Sequence, residues 1–271
     1  MEIAGLPAQF ALLAIVVPFF ALFALVEVVR PYRAMPLPRS RRWTTNLALY
    51  AIDTVAVRVF GPAAMIGAAL WAQEAGYGVF NAFDMPGWLA FGATLLVLDL
   101  ALWVQHLATH RVPLLWRLHK VHHADTGFDV TTAARFHPVE IVLSMAFKMA
   151  VVVALGAPPL AVFAFEAIFN AFTLFGHANF GLPRGFDALV RGAFVTPDMH
   201  RIHHSTTMEE TNSNYGTVLS GWDRLFGTYV ARPEKGRDAV EIGLSGYRDE
   251  KPGKLGWSLA LPFRRPPPGG D

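Results

Sequence analysis

DLALWVQHLATHRVPLLWRLHKVHH, residues 99–123, holds five of the chain's ten histidines in two bursts: His106 and His110, then His119, His122 and His123. On a helix, residues four apart lie about 40° apart around the axis and residues three apart about 60°. Each burst therefore aims its imidazoles one way. Pro113 separates the bursts and breaks or turns the chain, so two helical pieces can face a common centre. A third burst, His200, His203 and His204 in TPDMHRIHHS, repeats the H-x-x-H-H spacing far downstream. Imidazole suits iron, copper, zinc and nickel. Eight convergent histidines exceed what one four-coordinate ion can use, which points to two metal ions.

Working outward, the apolar fraction of 53% against 16% charged residues is too lipophilic for an ordinary globular chain, and membrane spans account for the excess. The chain has no cysteine, which removes disulfides, thiolate metal sites and cysteine nucleophiles from consideration. Residues 9–29 form a nearly uncharged run of spanning length, with Glu27 near its end and Pro18 placed to kink it. The run has no basic lead-in and no small-residue cleavage site, so it reads as a span and not a signal peptide. RPYRAMPLPRSRR follows, with Arg30, Arg33, Arg39, Arg41 and Arg42. The positive-inside rule makes this loop cytoplasmic and the amino terminus external. The span directly before it argues against a nucleic-acid patch.

Leu47–Trp71 reads as a second span. Asp53 and Arg58 lie inside it, either paired with each other or with Arg58 reaching for the interface. The loop 72–86 has two acids and no bases, as suits the outside. Residues 87–105 return inward and end just before His106. Asp99, seven residues earlier on the same face, is placed to orient a ligand histidine. Residues 139–176 form a hairpin turned at GAPP that either crosses the membrane twice or dips into it. Both versions return His177 to the cytoplasmic side. Glu166, Asn170, Thr173 and His177 make one polar stripe at spacings of 4, 3 and 4. It fits the wall of a substrate channel and hydrogen bonding between helices equally well. After Phe180 the chain is soluble in character, and the segment from Lys251 to the end reads as a mobile, non-catalytic tail.

Three regions result: membrane helices and a basic loop over residues 1–98, a catalytic region over 99–230, and a carboxy-terminal tail over 231–271. The fold class is an all-α integral membrane protein, with about four to five transmembrane helices and a cytosolic helical cap holding a histidine-rich dimetal site.

H-x-x-x-H, H-x-x-H-H and a distant H-x-x-H-H, in this order, resemble the fatty acid hydroxylase and sterol desaturase superfamily. The flanks agree: Asp99, RVPLLWRLHKVHH, RFHPVE, GHANFGLP, TPDMHRIHHS and NYGTVLSGWDRLFGTY. The likeness covers about Asp99–Tyr229, and the first ninety residues match only in being hydrophobic. It implies a membrane-bound non-haem oxygenase with two iron ions (Fe2+/Fe3+) and O2 as co-substrate. His106, His110, His119, His122, His123, His200, His203 and His204 would be metal ligands, and GHANF matches the family's isolated histidine at His177. His137, before a proline, is a ligand or a support for one. Asp99, Glu140, Asp198 and Asp223 would orient the ligands from behind. Asn214, Trp222 and Asp223 fit equally well as residues that close the soluble cap by turns and aromatic packing.

The reaction implied is hydroxylation of an unactivated C–H bond of a lipid, sterol, fatty acyl or related, with desaturation as the alternative. A zinc hydrolase needs only one ion and three protein ligands, and the Glu-x-x-His motifs of soluble di-iron bundles are absent. A membrane haem protein would place histidines within the spans, one per helix, and a metal transporter would bind near the midplane. The histidines here cluster at helix ends instead. No His-Pro-Gly-Gly segment or flavin motif occurs, so electrons are expected from a separate donor: a ferredoxin, a cytochrome b5-like protein or a reductase. The setting expected is a bacterial inner membrane or the endoplasmic reticulum, with the metal site on the cytoplasmic side and no nucleic acid involved.

Overall fold

The computed structural model describes residues 1–60 and 64–265. A two-residue β hairpin, β1 (Glu2–Ile3) with β2 (Leu6–Pro7), precedes thirteen α-helices among the described residues. The long ones are α1 (Ala8–Val29), α2 (Arg39–Phe60), α3 (Ala64–Glu74), α5 (Gly87–Arg111), α7 (Pro138–Leu155) and α8 (Pro159–His177), with the single turn α4 (Val79–Ala82) between α3 and α5. The shorter ones are α6 (Pro113–His123), α9 (Arg184–Val190), α10 (Pro197–His203), α11 (Met208–Thr211), α12 (Gly221–Leu225) and α13 (Leu255–Ala260). α6, α7, α8 and α10 each begin on proline. At that position the missing N–H costs nothing and the fixed φ already suits a helix. Pro113 thus starts α6 at the point where α5 ends, and this sharp join folds one histidine burst back toward the other.

α1, α5, α7 and α8 are long and apolar enough to cross a membrane. At 1.5 Å per residue, α7 and α8 reach about 27 Å, close to the roughly 30 Å of a bilayer core. The chain turns between them at Gly156, whose φ of 66° lies in the left-handed region glycine adopts freely. The second expected span, Leu47–Trp71, is built as two helices, α2 and α3, with residues 61–63 outside the described part. α1 packs on α8, α3 and α2 on α7, and α5 on both α7 and α8. Met65, Leu98, Val152, Val162 and Phe165 from α3, α5, α7 and α8 bury one apolar cluster. Ala68, Ala69 and Ala157 in the same cluster let the backbones approach closely.

α2 begins eight residues before the expected span because its first turns are polar and buried. Arg42 is 1% exposed. Its Nε and Nη2 each lie 2.7 Å from one oxygen of Asp125, a bidentate pair, and Nη1 pairs with Asp129. Asn46 donates to Asp125 at 3.0 Å and accepts from Arg135 at 2.9 Å. Burial alone would raise the Asp125 pKa, but the Arg42 guanidinium holds it well below the usual carboxylate range.

The carboxy-terminal segment corrects the expectation of a mobile tail. Residues 251–263 form two 3-10 turns around α13 and pack on α2 and α6. Trp257 and Leu261, four residues apart, join Leu49, Val121 and Leu244 in a second buried cluster. Thr45 donates to the Gly253 carbonyl at 2.8 Å, Arg117 to Pro262 O at 2.8 Å and Arg135 to Ser258 Oγ at 2.8 Å. The glycines and prolines here shape turns in a packed segment. Residues 266–271, the end of the expected tail, lie outside the described part.

Candidate metal centre

His106 and His110 occupy the last two turns of α5, and His119, His122 and His123 the last two of α6. His177 ends α8, while His200 and His203 lie on α10 with His204 as its cap. The fold gathers these nine into two groups, in each of which one nitrogen per ring lies within 4.8 Å of the others. One group is His106, His110, His119, His123 and His203; the other is His122, His177, His200 and His204. The groups touch along the doublets 122–123 and 203–204, and the His123 and His204 rings stack at 4.5 Å between centroids.

The ring nitrogens show what the groups are built to hold. Nδ1 of His106 lies 2.7 Å from Tyr215 O, that of His119 2.6 Å from Glu140 Oε1 and that of His203 2.7 Å from Ser213 O. Nδ1 of His122 and His177 faces Arg135 O and Thr173 O at 3.1 and 2.8 Å. Each contact accepts an Nδ1–H, which fixes the tautomer and turns the Nε2 lone pair inward. The inward Nε2 atoms of His106, His119 and His203 are buried without a partner, as are both nitrogens of His110, His123 and His204. In the four-histidine group, Nε2 of His177 lies 3.2 Å from Nε2 of His122 and 3.0 Å from that of His200. Three lone pairs facing one another repel, and so many orphaned buried nitrogens are costly, unless a cation sits among them. Burial, aided by the other imidazoles, pushes His203 down to about 3 and His122, His123, His200 and His204 well below the usual histidine range. These rings are therefore neutral, as metal ligation requires.

The expected supporting residues divide. Glu140, in the first turn of α7, touches His119 directly. Asp99 touches no imidazole. Its Oδ2 accepts from Leu219 N at 3.2 Å and Trp222 Nε1 at 2.8 Å, so it braces the 215–222 loop. Asp223 braces the same loop, accepting from Tyr215 N, Gly216 N and Thr228 Oγ1 at 2.8, 2.8 and 2.6 Å, and from Trp103 at 3.0 Å. Both carboxylates thereby position the Tyr215 carbonyl on His106. Asn214, at φ 53°, holds the turn before it by bonds to Met199 O and Val230 O. Asp198 pairs with Arg201 and Arg237 and lies 3.9 Å from Arg191, an ion-pair hub behind α10. His137 belongs to neither group. It caps α7 by accepting from Val139 N at 3.2 Å, and its Nε2 faces Leu259 O at 3.3 Å.

Sequence reasoning gave no role to Glu27, which is fully buried near the end of α1. Its Oε1 accepts from Val130 N and from Asn179 N, both at 2.7 Å, tying α1 to the segments that follow His123 and His177. An acid at the end of an apolar run was the available signal. Phe136 was also missed; it stacks on the His122 ring at 4.4 Å with 8° between planes.

Residues 91–228, just over half of the chain, match the family model described as fatty acid hydroxylase. The chain belongs to the fatty acid hydroxylase family. It is 31% identical over 252 residues to ornithine lipid hydroxylase OlsE of Rhizobium tropici, covering 90% of this chain and 73% of that one. It is 33% identical over 161 residues to human alkylglycerol monooxygenase, 59% of this chain and 34% of the relative. It is 30% identical over 140 residues to human cholesterol 25-hydroxylase, 49% and 48% of the two chains. The chain thus spans about a third of the second relative and about half of the third. No solved structure gives a significant match. Membership in the fatty acid hydroxylase family, with four apolar helices of spanning length, makes the protein a membrane-bound oxidoreductase.

A cavity of about 860 Å³ reaches from His106, His119, His122, His177 and His200 into the helical bundle. Glu166, Asn170 and Thr173 all lie on its wall. Asn170 and Thr173 donate to carbonyls of their own helix, Glu166 O and Phe169 O, both at 2.7 Å, and not to a neighbouring helix. Asp53 and Arg58 also line the cavity and form no ion pair with each other.

Proposed function

We propose that this fatty acid hydroxylase family member is a di-iron lipid hydroxylase. Five of its histidines would hold one iron and four the other. The observation that carries the reading is the pair of histidine groups whose unpartnered nitrogens face inward while Nδ1 contacts on five of the rings fix their orientation. Nine imidazoles with no cysteine exceed what a single hydrolytic zinc uses. When bound, the metal pair would supply dioxygen activation and the insertion of oxygen into a C–H bond.

The chain's own residues do the rest. Glu140, Arg135 O, Thr173 O, Ser213 O and Tyr215 O hold the rings in one tautomer. The cavity admits a lipid chain from the bilayer side, and Leu102, Phe136, Phe165 and Phe172 on its wall exclude bulk water from the reacting carbon. Hydroxylation is favoured over desaturation because the relatives matched are, by name, hydroxylases and a monooxygenase. The positive loop at residues 30–42 supports a site on the cytoplasmic side, where a separate ferredoxin, cytochrome b5-like protein or reductase would deliver electrons.

The test is a lipid extract from cells grown under 18O2 with the wild-type protein or His122→Ala. A lipid that gains one labelled oxygen only with the wild type is the expected result. Identical extracts at equal protein levels would overturn the assignment.

A further inference from the structure

A second pocket, of about 480 Å³, opens just past the end of α1. Its wall is Pro31, residues 33–39 and Asn179, and it shares no lining residue with the cavity beneath the histidines. The loop is shaped before anything binds. Pro31, Pro36 and Pro38 fix their own φ. Asn179 is buried and holds the loop by three bonds: its O accepts from Tyr32 N at 2.9 Å, its Oδ1 from Arg33 N at 3.1 Å, and its Nδ2 donates to Arg33 O at 2.9 Å.

The charge on this wall is one-sided. Arg33 and Arg39 line the pocket and no carboxylate does. Nη1 of Arg33 is buried without a hydrogen-bond partner. The two acids that attract these arginines from outside the pocket are engaged elsewhere. Asp238, which acts on Arg33, accepts the Tyr32 hydroxyl at 2.5 Å. Glu27, which acts on Arg39, is turned into the core, where its Oε1 accepts from Val130 N and Asn179 N at 2.7 Å. Arg39 also opens α2, whose first turn holds no acid, so the free amides and positive dipole end of a 22-residue helix add to the field here.

Depth selects the ligand. α1 is of spanning length and ends at Val29, which leaves the loop at the level of the lipid headgroups. Guanidinium groups match phosphate oxygens in bidentate geometry. A zwitterionic headgroup would bring an ammonium that no lining carboxylate can receive, whereas an anionic headgroup brings the phosphate alone. Met35 and Leu37 give the glycerol backbone an apolar side to lie against. We propose that Arg33 and Arg39 bind the phosphate of an anionic phospholipid at the end of α1. This lipid is held and not oxidised, and the site stands apart from the histidine cavity. Asn179, two residues past His177, ties the occupied loop to the segment that carries that histidine.

The experiment releases the full chain from nanodiscs of equal parts phosphatidylglycerol and phosphatidylcholine with the same acyl chains, and counts retained lipid by native mass spectrometry. The wild type should keep phosphatidylglycerol about tenfold over phosphatidylcholine, the effect of one charge-assisted hydrogen bond. Arg33→Gln and Arg39→Gln should each reduce that preference to about twofold or less. Arg30→Gln removes the same charge from an exposed neighbour outside the pocket and should leave the preference in place. In detergent, phosphatidylglycerol should raise the thermal midpoint of the wild type and inorganic phosphate should not. Equal retention of the two lipids by the wild type overturns the proposal whether or not the variants fold, and leaves the loop to an acidic protein partner. An equal loss in Arg30→Gln and Arg33→Gln means diffuse attraction to the surface and overturns it too. A midpoint raised as much by inorganic phosphate assigns the pocket to a soluble anion and removes the lipid.

Discussion

Nδ1 of His119 lies 2.6 Å from Oε1 of Glu140, and His119 Nε2 points into the five-histidine group with no protein partner. The carboxylate sits in the first turn of α7 because Pro138 opens that helix, so the ring's orientation depends on a backbone feature nineteen residues downstream. Glu140→Leu should weaken iron retention about 10- to 100-fold, the usual cost of losing a ligand's hydrogen-bond partner. Glu140→Gln, which keeps an acceptor, should fall between. Iron remaining after dialysis against a chelator measures both, and retention equal to wild type in the Leu variant would detach Glu140 from the site.

Asp223 should matter more for stability than Asp99, since its carboxylate accepts four hydrogen bonds while that of Asp99 accepts from Leu219 N and Trp222 Nε1. Asp223→Ala orphans donors at about 1–3 kcal/mol each. The expected loss is about 3 kcal/mol or more, seen as a lower thermal midpoint in detergent. Asp99→Asn should cost less and reduce iron retention only in part, through the 215–222 loop.

Gly127 is held by space. A Cβ there would come within 2.4 Å of Arg42 Cζ, and Arg42 is locked between Asp125 and Asp129. Gly127→Ala should therefore cost about 1–3 kcal/mol as overpacking and lower the yield of folded protein, measured by size-exclusion of the solubilised chain. A neutral result would mean that the Arg42 network is looser than its bonds imply.

Acid should unfold the metal-free protein. His203 falls to about 3 in the fold against 6.5 when unfolded, because burial disfavours its charged form. Between those values the unfolded chain binds the extra proton, so stability rises with pH across the window and is lost as pH falls from 6.5 toward 3. His122, His123, His200 and His204 are depressed the same way and add to the slope. Thermal midpoints at pH 7.5 and pH 5.5 should differ by several degrees in metal-free protein. Iron should raise the midpoint at both pH values and shift acid unfolding to lower pH, because it binds the folded chain and its ligands then resist protonation.

The eight histidines of the three bursts could be grouped from the sequence because helical spacing states which way each burst points, whereas His177, with no neighbour at ligand spacing, was suggested only by the resemblance of GHANF. Arg42, Asp125 and Asp129 could not be grouped in this way. Arg42 stands in a run of arginines that reads as a charged loop, and its partners lie more than eighty positions away. His137 carries the residue type of a ligand, yet the extended backbone that precedes a proline leaves it capping α7. The segment around Trp257 was hidden by glycine and proline, which mark turns whether or not a core lies beneath them. Local periodicity reports faces of helices; it does not report which distant polar group fills a buried pocket.

A pair of metal ions held by these histidines should show directly in the iron content and Mössbauer spectrum of the purified chain. Two iron atoms per folded chain, with one lost selectively in His200→Ala, is the predicted result. One metal per chain, a haem band, or full iron occupancy after both His122 and His203 are removed would contradict it.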